Sequence, residues 1–169
     1  MKILITGACG HIGSYLSENI YKIKKVSKAI LIDNLKSNRF NSLFHSQKKN
    51  NLNFFVRDLN NINCLDDINN IDTIIHCASM TNAEKSFSKE KEMYKNNLNA
   101  MKTVIRYCKK KNTKLIHISS TSVYGKQAEV VDENCEKKFL NPQSPYAKIK
   151  LIEENLLKKN SNILKYNTF

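Results

Sequence analysis

The sequence predicts an α/β fold: an open, doubly wound parallel sheet with helices on both faces. Three observations carry that reading. Short apolar runs alternate with helical patterns along the whole 169 residues, the order that builds βαβ units. A glycine-spaced turn, Thr6-Gly7-Ala8-Cys9-Gly10-His11-Ile12-Gly13, separates the first run from the first helical pattern. Acidic residues close the second and third runs, Asp33 and Asp58, at the sheet edge where ligands of such folds bind.

The elements follow in order. Strands are expected at 2–5, 28–33, 52–58, 71–76 and 113–119, with a sixth within 162–169. Helical spacing is read at 11–24 (Ile12, Tyr15, Leu16, Asn19, Ile20), briefly near 36–48, weakly near 62–68, at length over about 89–111, and over about 145–160. Right-handed crossovers and a glycine turn after the first strand give the order 3-2-1-4-5-6. No repeat or linker interrupts the chain, so residues 1–169 are read as one domain, with the Asn- and Ser-rich stretch 34–51 as its loosest part.

Strand, glycine turn and helix in that order are the setting in which such a turn binds a dinucleotide. Gly7 suits the positive φ of a tight turn, Gly10 lets the backbone approach a pyrophosphate, and Gly13 lets helix and strand pack closely. The helix N-terminus then faces the phosphates. His11 is read as a side chain leaning over this loop rather than as a base. Asp33 stands twenty residues after Gly13, where a carboxylate accepts from the adenosine ribose hydroxyls and repels a 2′-phosphate. NAD is therefore expected over NADP, although Lys36 and Arg39 follow closely enough to meet a phosphate. Asp58 could accept from an adenine amino group or cap the helix pattern after it.

Tyr146 and Lys150 are spaced i, i+4 and share one helix face, whereas Lys148 points away. Ser144 as N-cap and Pro145 at the first helical position would place Tyr146 in the first turn. A lysine beside a phenol favours the phenolate, so Tyr146 is expected to have a lowered pKa and to serve as a general base. Ser119-Ser120-Thr121-Ser122 brings hydroxyls to the C-terminal end of the fifth strand, beside the ligand crevice.

Composition limits the alternatives. The chain carries 28 Lys and Arg against 15 Asp and Glu, a formal charge of +13. The lysines travel with asparagines and isoleucines throughout, and no arginine-rich or aromatic-interleaved patch marks a nucleic-acid surface. No apolar run is long enough to span a membrane, and the N-terminus reads as a strand rather than a signal peptide. The five cysteines are scattered with no C-x-x-C pair, which points to reduced thiols in a cytoplasmic protein with no metal site.

Together these motifs resemble the extended short-chain dehydrogenases/reductases, within the NAD-dependent epimerase/dehydratase family. The matching residues are Gly7, Gly10 and Gly13; Asp33-Asn34-Leu35; Asp58-Leu59; His76-Cys77-Ala78-Ser79; Tyr94 and Asn97; Ser119-Ser120 with Val123-Tyr124-Gly125; Glu133; and Pro142 to Lys150. The resemblance implies a Rossmann fold, catalytic roles for Ser120, Tyr146 and Lys150, and an NAD site formed by Gly7, Gly10, His11, Ile12, Gly13, Asp33, Asn34, Asp58, Leu59, Ala78, Asn97, Tyr146 and Lys150. It further implies sugar redox chemistry. Tyr146 takes a proton from a sugar hydroxyl as hydride leaves that carbon for NAD, Ser120 hydrogen-bonds the reacting oxygen, and Lys150 holds the nicotinamide ribose.

Family dehydratases carry Asp-Glu just after the catalytic hydroxyl residue, and here those positions are Thr121 and Ser122. The resemblance therefore favours a nucleotide-sugar 4-epimerase acting on a UDP-sugar, over a dehydratase or reductase of the same family or an NAD-binding module without turnover. Family members continue past the sixth strand into residues that bind the nucleotide sugar. The 169 residues hold no such part, so the substrate cleft is expected to lack a wall and the sixth strand to present an apolar edge. A homodimer through the helices near 89–111 and 145–160 is also implied.

Overall fold

The computed structural model describes residues 1–43, 51–81, 87–127 and 130–169. Six strands, β1 (Lys2–Thr6), β2 (Lys28–Asp33), β3 (Leu52–Val56), β4 (Thr73–His76), β5 (Lys114–His117) and β6 (Tyr166–Thr168), pair in parallel in the order β3-β2-β1-β4-β5-β6. The expected topology is thus observed. β1 lies at the centre, with Ile3 opposite Ala29 on one side and Thr73 on the other.

Both faces of the sheet are covered, and strand alternation divides the core accordingly. Leu4, Ile32, Ile74 and Leu115 face one layer, packed with Met101, Val104 and Leu157 of α2 (Glu90–Lys111) and α3 (Pro145–Lys159). Ile3, Ile5, Leu31 and Ile75 face the other, against Ile20, Val26 and Leu16. The helix ends follow local chemistry. α2 opens with Glu90 and Glu92 and closes on Lys109–Lys111, favourable at both ends of the dipole, before Asn112 turns left-handed at φ 51°. α3 starts with the Ser144 hydroxyl accepting from the Ala147 N–H at 3.1 Å and Pro145 in the first turn, as expected.

Four expectations are corrected. The helix read over 11–24 is α1 (His11–Asn19) followed by a 3-10 turn to Lys22. Its buried residues are Gly13 and Ser17, while Ile12 and Tyr15 are 49% and 68% exposed, so only Leu16 and Ile20 of the apolar stripe read there pack on the sheet. No helix forms near 62–68, where consecutive turns run from Asp58 to Ile68. The Asp58 and Asn61 side chains accept from the N–H groups of Asn60 and Asn63 two residues on, a local pairing that competes with helix. Near 36–48 the described part holds only a 3-10 turn, Phe40–Ser42, and residues 44–50 of that expectation and of the loose stretch lie outside the described residues. β6 is short and polar rather than an apolar edge: Asn167 and Thr168 are exposed and Leu164 is buried behind them. Of the other strands, β2 has the expected limits, β1 runs one residue further, and β3, β4 and β5 begin or end one or two residues inside theirs. Among the described residues no helix is long and apolar enough to cross a membrane.

Candidate functional site

The C-terminal ends of β2 and β4 meet the turn between β1 and α1. Gly7 holds φ +67°, and a Cβ there would lie 2.6 Å from the Ala78 nitrogen. A Cβ on Gly13 would lie 2.0 Å from the Gly7 carbonyl oxygen. Gly7 therefore packs the turn onto the end of β4, and Gly13 packs α1 onto the turn. Gly10 differs: its Cβ would meet only the Gly7 oxygen, at 3.2 Å, so this glycine borders open space. Gly10 also caps α1, with no side chain bonded at the cap. His11 and Ile12 are exposed on the first turn of α1. This is a backbone cradle of the kind a pyrophosphate occupies at a helix N-terminus, and the residues present fit a dinucleotide.

Asp33 is fixed beside that cradle. One carboxylate oxygen accepts from the Cys9 N–H at 3.0 Å and the other from the Leu35 N–H at 2.8 Å. The acid at the end of β2 is thus tied directly to the glycine turn. The Asn34 side chain accepts from the Lys36 N–H at 3.1 Å and shapes the following bend. Asp58 has both oxygens engaged, one with the backbone and side chain of Asn60 and the other with the Lys36 ammonium at 2.8 Å. Burial raises the Asp58 pKa, but the bonds from Lys36 and Asn60 outweigh it and bring it to about 2. The Leu59 side chain is buried in the core, leaving only its backbone near the edge.

Asn97 is fully buried and satisfied by the chain itself. Its carbonyl oxygen accepts from the Met80 N–H at 2.8 Å, and its amide donates to Ser79 Oγ and the Met80 carbonyl. It clamps the segment after β4 and so places Ala78 against Gly7. Behind this segment His76 Nδ1 meets Thr6 Oγ1 at 2.8 Å, and burial depresses the His76 pKa to about 3.

The second half of the site lies at β5 and α3. Ser120 caps a 3-10 turn at Thr121–Val123, and its hydroxyl lies 2.8 Å from the Ser122 hydroxyl. Gly125, at φ +66°, comes so close to Asn141 that a Cβ would sit 1.8 Å from the Asn141 oxygen. The chain that leaves β5 is thereby returned to the start of α3, which brings Tyr146 to Ser120. Lys148 is exposed, as helical geometry requires, and Lys150 is buried at 4% exposure. The Lys150 ammonium lies 5.9 Å from the Tyr146 ring centre and donates to the Ile118 carbonyl at 3.0 Å and to Glu153 at 2.8 Å.

The lowered pKa expected for Tyr146 is corrected. Burial raises it, the Glu153 charge raises it further, and the hydrogen bond with Ser120 draws it only partly back. Burial is the largest cause, and beside it the charge of Lys150 is opposed by Glu153, a residue the sequence reading missed. Glu153 is itself only 1% exposed and lies 3.0 Å from His117 Nε2. Burial works against its ionised form, yet His117 and Lys150 hold its pKa below the usual carboxylate value. The available signal was spacing: Glu153 follows Tyr146 by seven and Lys150 by three positions, on the same stripe.

The family model described as NAD dependent epimerase/dehydratase matches residues 3–163. The chain is 34% identical over 170 aligned residues to dTDP-D-glucose 4,6-dehydratase of Dictyostelium discoideum, an alignment covering 92% of this chain and 39% of that protein. It is 31% identical to UDP-glucose 4-epimerase of Yersinia enterocolitica, covering 94% of this chain and 48% of that protein. The chain thus spans less than half the length of either relative. Among solved structures, UDP-glucuronic acid 4-epimerase from Bacillus cereus, in complex with UDP-glucuronic acid and NAD, superposes with a TM-score of 0.86 at 28% identity, covering 99% of this chain and 55% of that one. A dTDP-glucose 4,6-dehydratase from Streptomyces venezuelae superposes with a TM-score of 0.91 at 22% identity and 54% coverage of that chain, a likeness of fold.

Proposed function

We propose, because the chain belongs to the NAD-dependent epimerase/dehydratase family, that it binds NAD and serves a nucleotide-sugar 4-epimerase reaction on a UDP-sugar. The observation that carries the cofactor reading is Asp33, held by the Cys9 N–H beside a turn in which Gly10 alone borders open space. Gly7, Gly10, Gly13, His11 and Ile12 would take the pyrophosphate side, Asp33 and Asn34 the adenosine ribose, and Asp58 with the Leu59 backbone the adenine. The Asp33 carboxylate at the end of β2 would repel a 2′-phosphate, which supports NAD over NADP. Ala78, placed by Asn97, together with Tyr146 and Lys150, borders the nicotinamide half.

Bound NAD supplies the hydride acceptor. The chain supplies positioning and proton transfer. Ser120 donates a hydrogen bond to the reacting oxygen of the sugar, and Tyr146 removes the hydroxyl proton. Lys150 fixes the end of the cleft by bridging α3 to the Ile118 carbonyl. Epimerisation is favoured over elimination because Thr121 and Ser122, beside Ser120, offer hydroxyls rather than the carboxylates that take a carbon-bound proton. Five free cysteines suit a reducing cytoplasm. A homodimer through α2 and α3 belongs to the same reading. Lys102 and Lys110 line the groove between these helices beside Ile105 and Leu156, so self-association should strengthen with salt in light scattering.

One observation favours a second reading, NAD binding without turnover: Glu153 occupies the charge of Lys150 and Tyr146 is a weak acid. Titration calorimetry with NAD and a UDP-sugar-dependent change in nicotinamide absorbance separate the two. Heat of binding together with a sugar-dependent change supports the epimerase, binding alone supports the second reading, and no binding at millimolar NAD overturns both.

A further inference from the structure

Tyr146, Lys150 and Glu153 stand at i, i+4 and i+7 on α3 and form one stripe facing the end of β5. Glu153 receives two donors there, the Lys150 ammonium at 2.8 Å and His117 Nε2 at 3.0 Å. His117 is fully buried, and among the described residues its Nδ1 has no hydrogen-bond partner. A proton on Nδ1 would be a buried donor with nothing to receive it, which is costly, whereas a bare lone pair costs less. His117 therefore braces Glu153 as an Nε2–H donor, and the Glu153 carboxylate faces the Lys150 ammonium beside it. The other titratable groups around this cluster are His76 and Cys77 at the end of β4. His76 is kept neutral by burial, and burial lifts the Cys77 thiol to about 11, so neither adds charge near neutral pH.

We propose that Glu153, braced by His117, is a positioning residue for Lys150: it holds the ammonium against the end of β5 and offsets its charge at the Tyr146 ring. The inference rests on the reading of Tyr146 as the proton-transfer residue, but its test needs no cofactor. The Tyr146 phenol is titrated by NMR in the full chain carrying tyrosine labelled at the phenolic carbon, with Tyr146→Phe assigning the signal. In wild type it titrates above the ordinary phenol value. Glu153→Gln removes the opposing charge while burial persists, and the phenol is expected to fall by about one pH unit from its wild-type position. A pocket merely loosened by the substitution would lower the phenol whether or not Lys150 is present. The lysine is the agent, so Glu153→Gln combined with Lys150→Met is expected to cancel the fall. His117→Gln, which keeps a donor, leaves the phenol near its wild-type position.

No movement in Glu153→Gln, or an equal fall in the double variant, overturns the proposal. Should Glu153→Gln fail to fold by circular dichroism, Lys150→Met is read alone. The unopposed Glu153 charge then raises the phenol above wild type, and an unchanged phenol overturns the proposal. Failure of NAD binding in calorimetry would count against the cofactor reading and leave this result standing.

Discussion

The two halves of the site are built from different materials. At the β1–α1–β2 end the chain itself makes the surface: glycines where a Cβ would strike backbone, and a carboxylate aimed by a backbone N–H. At the β5–α3 end the surface is made of side chains, a buried lysine, glutamate and histidine around a half-buried tyrosine. The first arrangement is rigid because it is steric. The second is held by charges whose balance can be changed one atom at a time.

Substitutions test that contrast, beginning with the largest expected effect. Gly13→Ala places a methyl 2.0 Å from the Gly7 oxygen, and backbone cannot yield as a flexible side chain does. A loss of about 3 kcal/mol or more in urea denaturation is expected, together with loss of NAD binding in calorimetry. A tolerated alanine would break the steric account of this half. Lys150→Met removes one partner of a buried pair and should cost about 3 kcal/mol, whereas Lys150→Met with Glu153→Leu should recover most of it. Equal losses in both would show that packing rather than charge holds the β5–α3 end.

His76 lies between the halves, bonded to Thr6 on one side and close enough to Glu153 and Lys150 to feel their charges. Its pKa falls from 6.5 to about 3 on burial. The unfolded chain therefore binds a proton that the folded chain refuses, and stability drains away as pH drops from about 6.5 toward 3. Between pH 7 and 5 the loss is about 2 kcal/mol, read as a falling urea midpoint, and His76→Gln should flatten that slope. A flat wild-type profile would show that His76 accepts its proton in the fold. The smallest effect is expected at Lys36→Ala. This exposed pair with Asp58 should leave the urea midpoint at the wild-type value, because exposed ion pairs contribute little.

The same contrast explains what could be read from the sequence. The sheet order followed from alternating runs and the position of the glycine turn, and it was found as expected. The family, too, was legible in Gly7, Gly10, Gly13, Asp33, Ser120, Tyr146 and Lys150, each a residue type at a fixed spacing. The state of Tyr146 was not legible. Spacing shows that Lys150 reaches the phenol, but whether its charge does so depends on Glu153 and on His117 from another strand, a three-body arrangement that no local pattern announces. The missing helix near 62–68 failed for a local reason, since Asx side chains took the N–H groups. The α1 stripe misled only in part: Leu16 and Ile20 pack as read, but Ile12 and Tyr15 are exposed and the buried places within α1 belong to Gly13 and Ser17, small residues that hydropathy does not mark.

The central place of β1 also bears on how the chain is made. Ile3 pairs with Thr73, seventy residues later. At a synthesis rate of 5–20 residues per second that partner arrives roughly 4–14 s after it. For that interval β1 and β2 form a nascent ribbon whose inner edge, Ile3 to Thr6, is unsatisfied. The central strand of the finished sheet is thus the one that waits longest for its neighbour, and a chaperone acting on the emerging chain would be most needed before β4 appears.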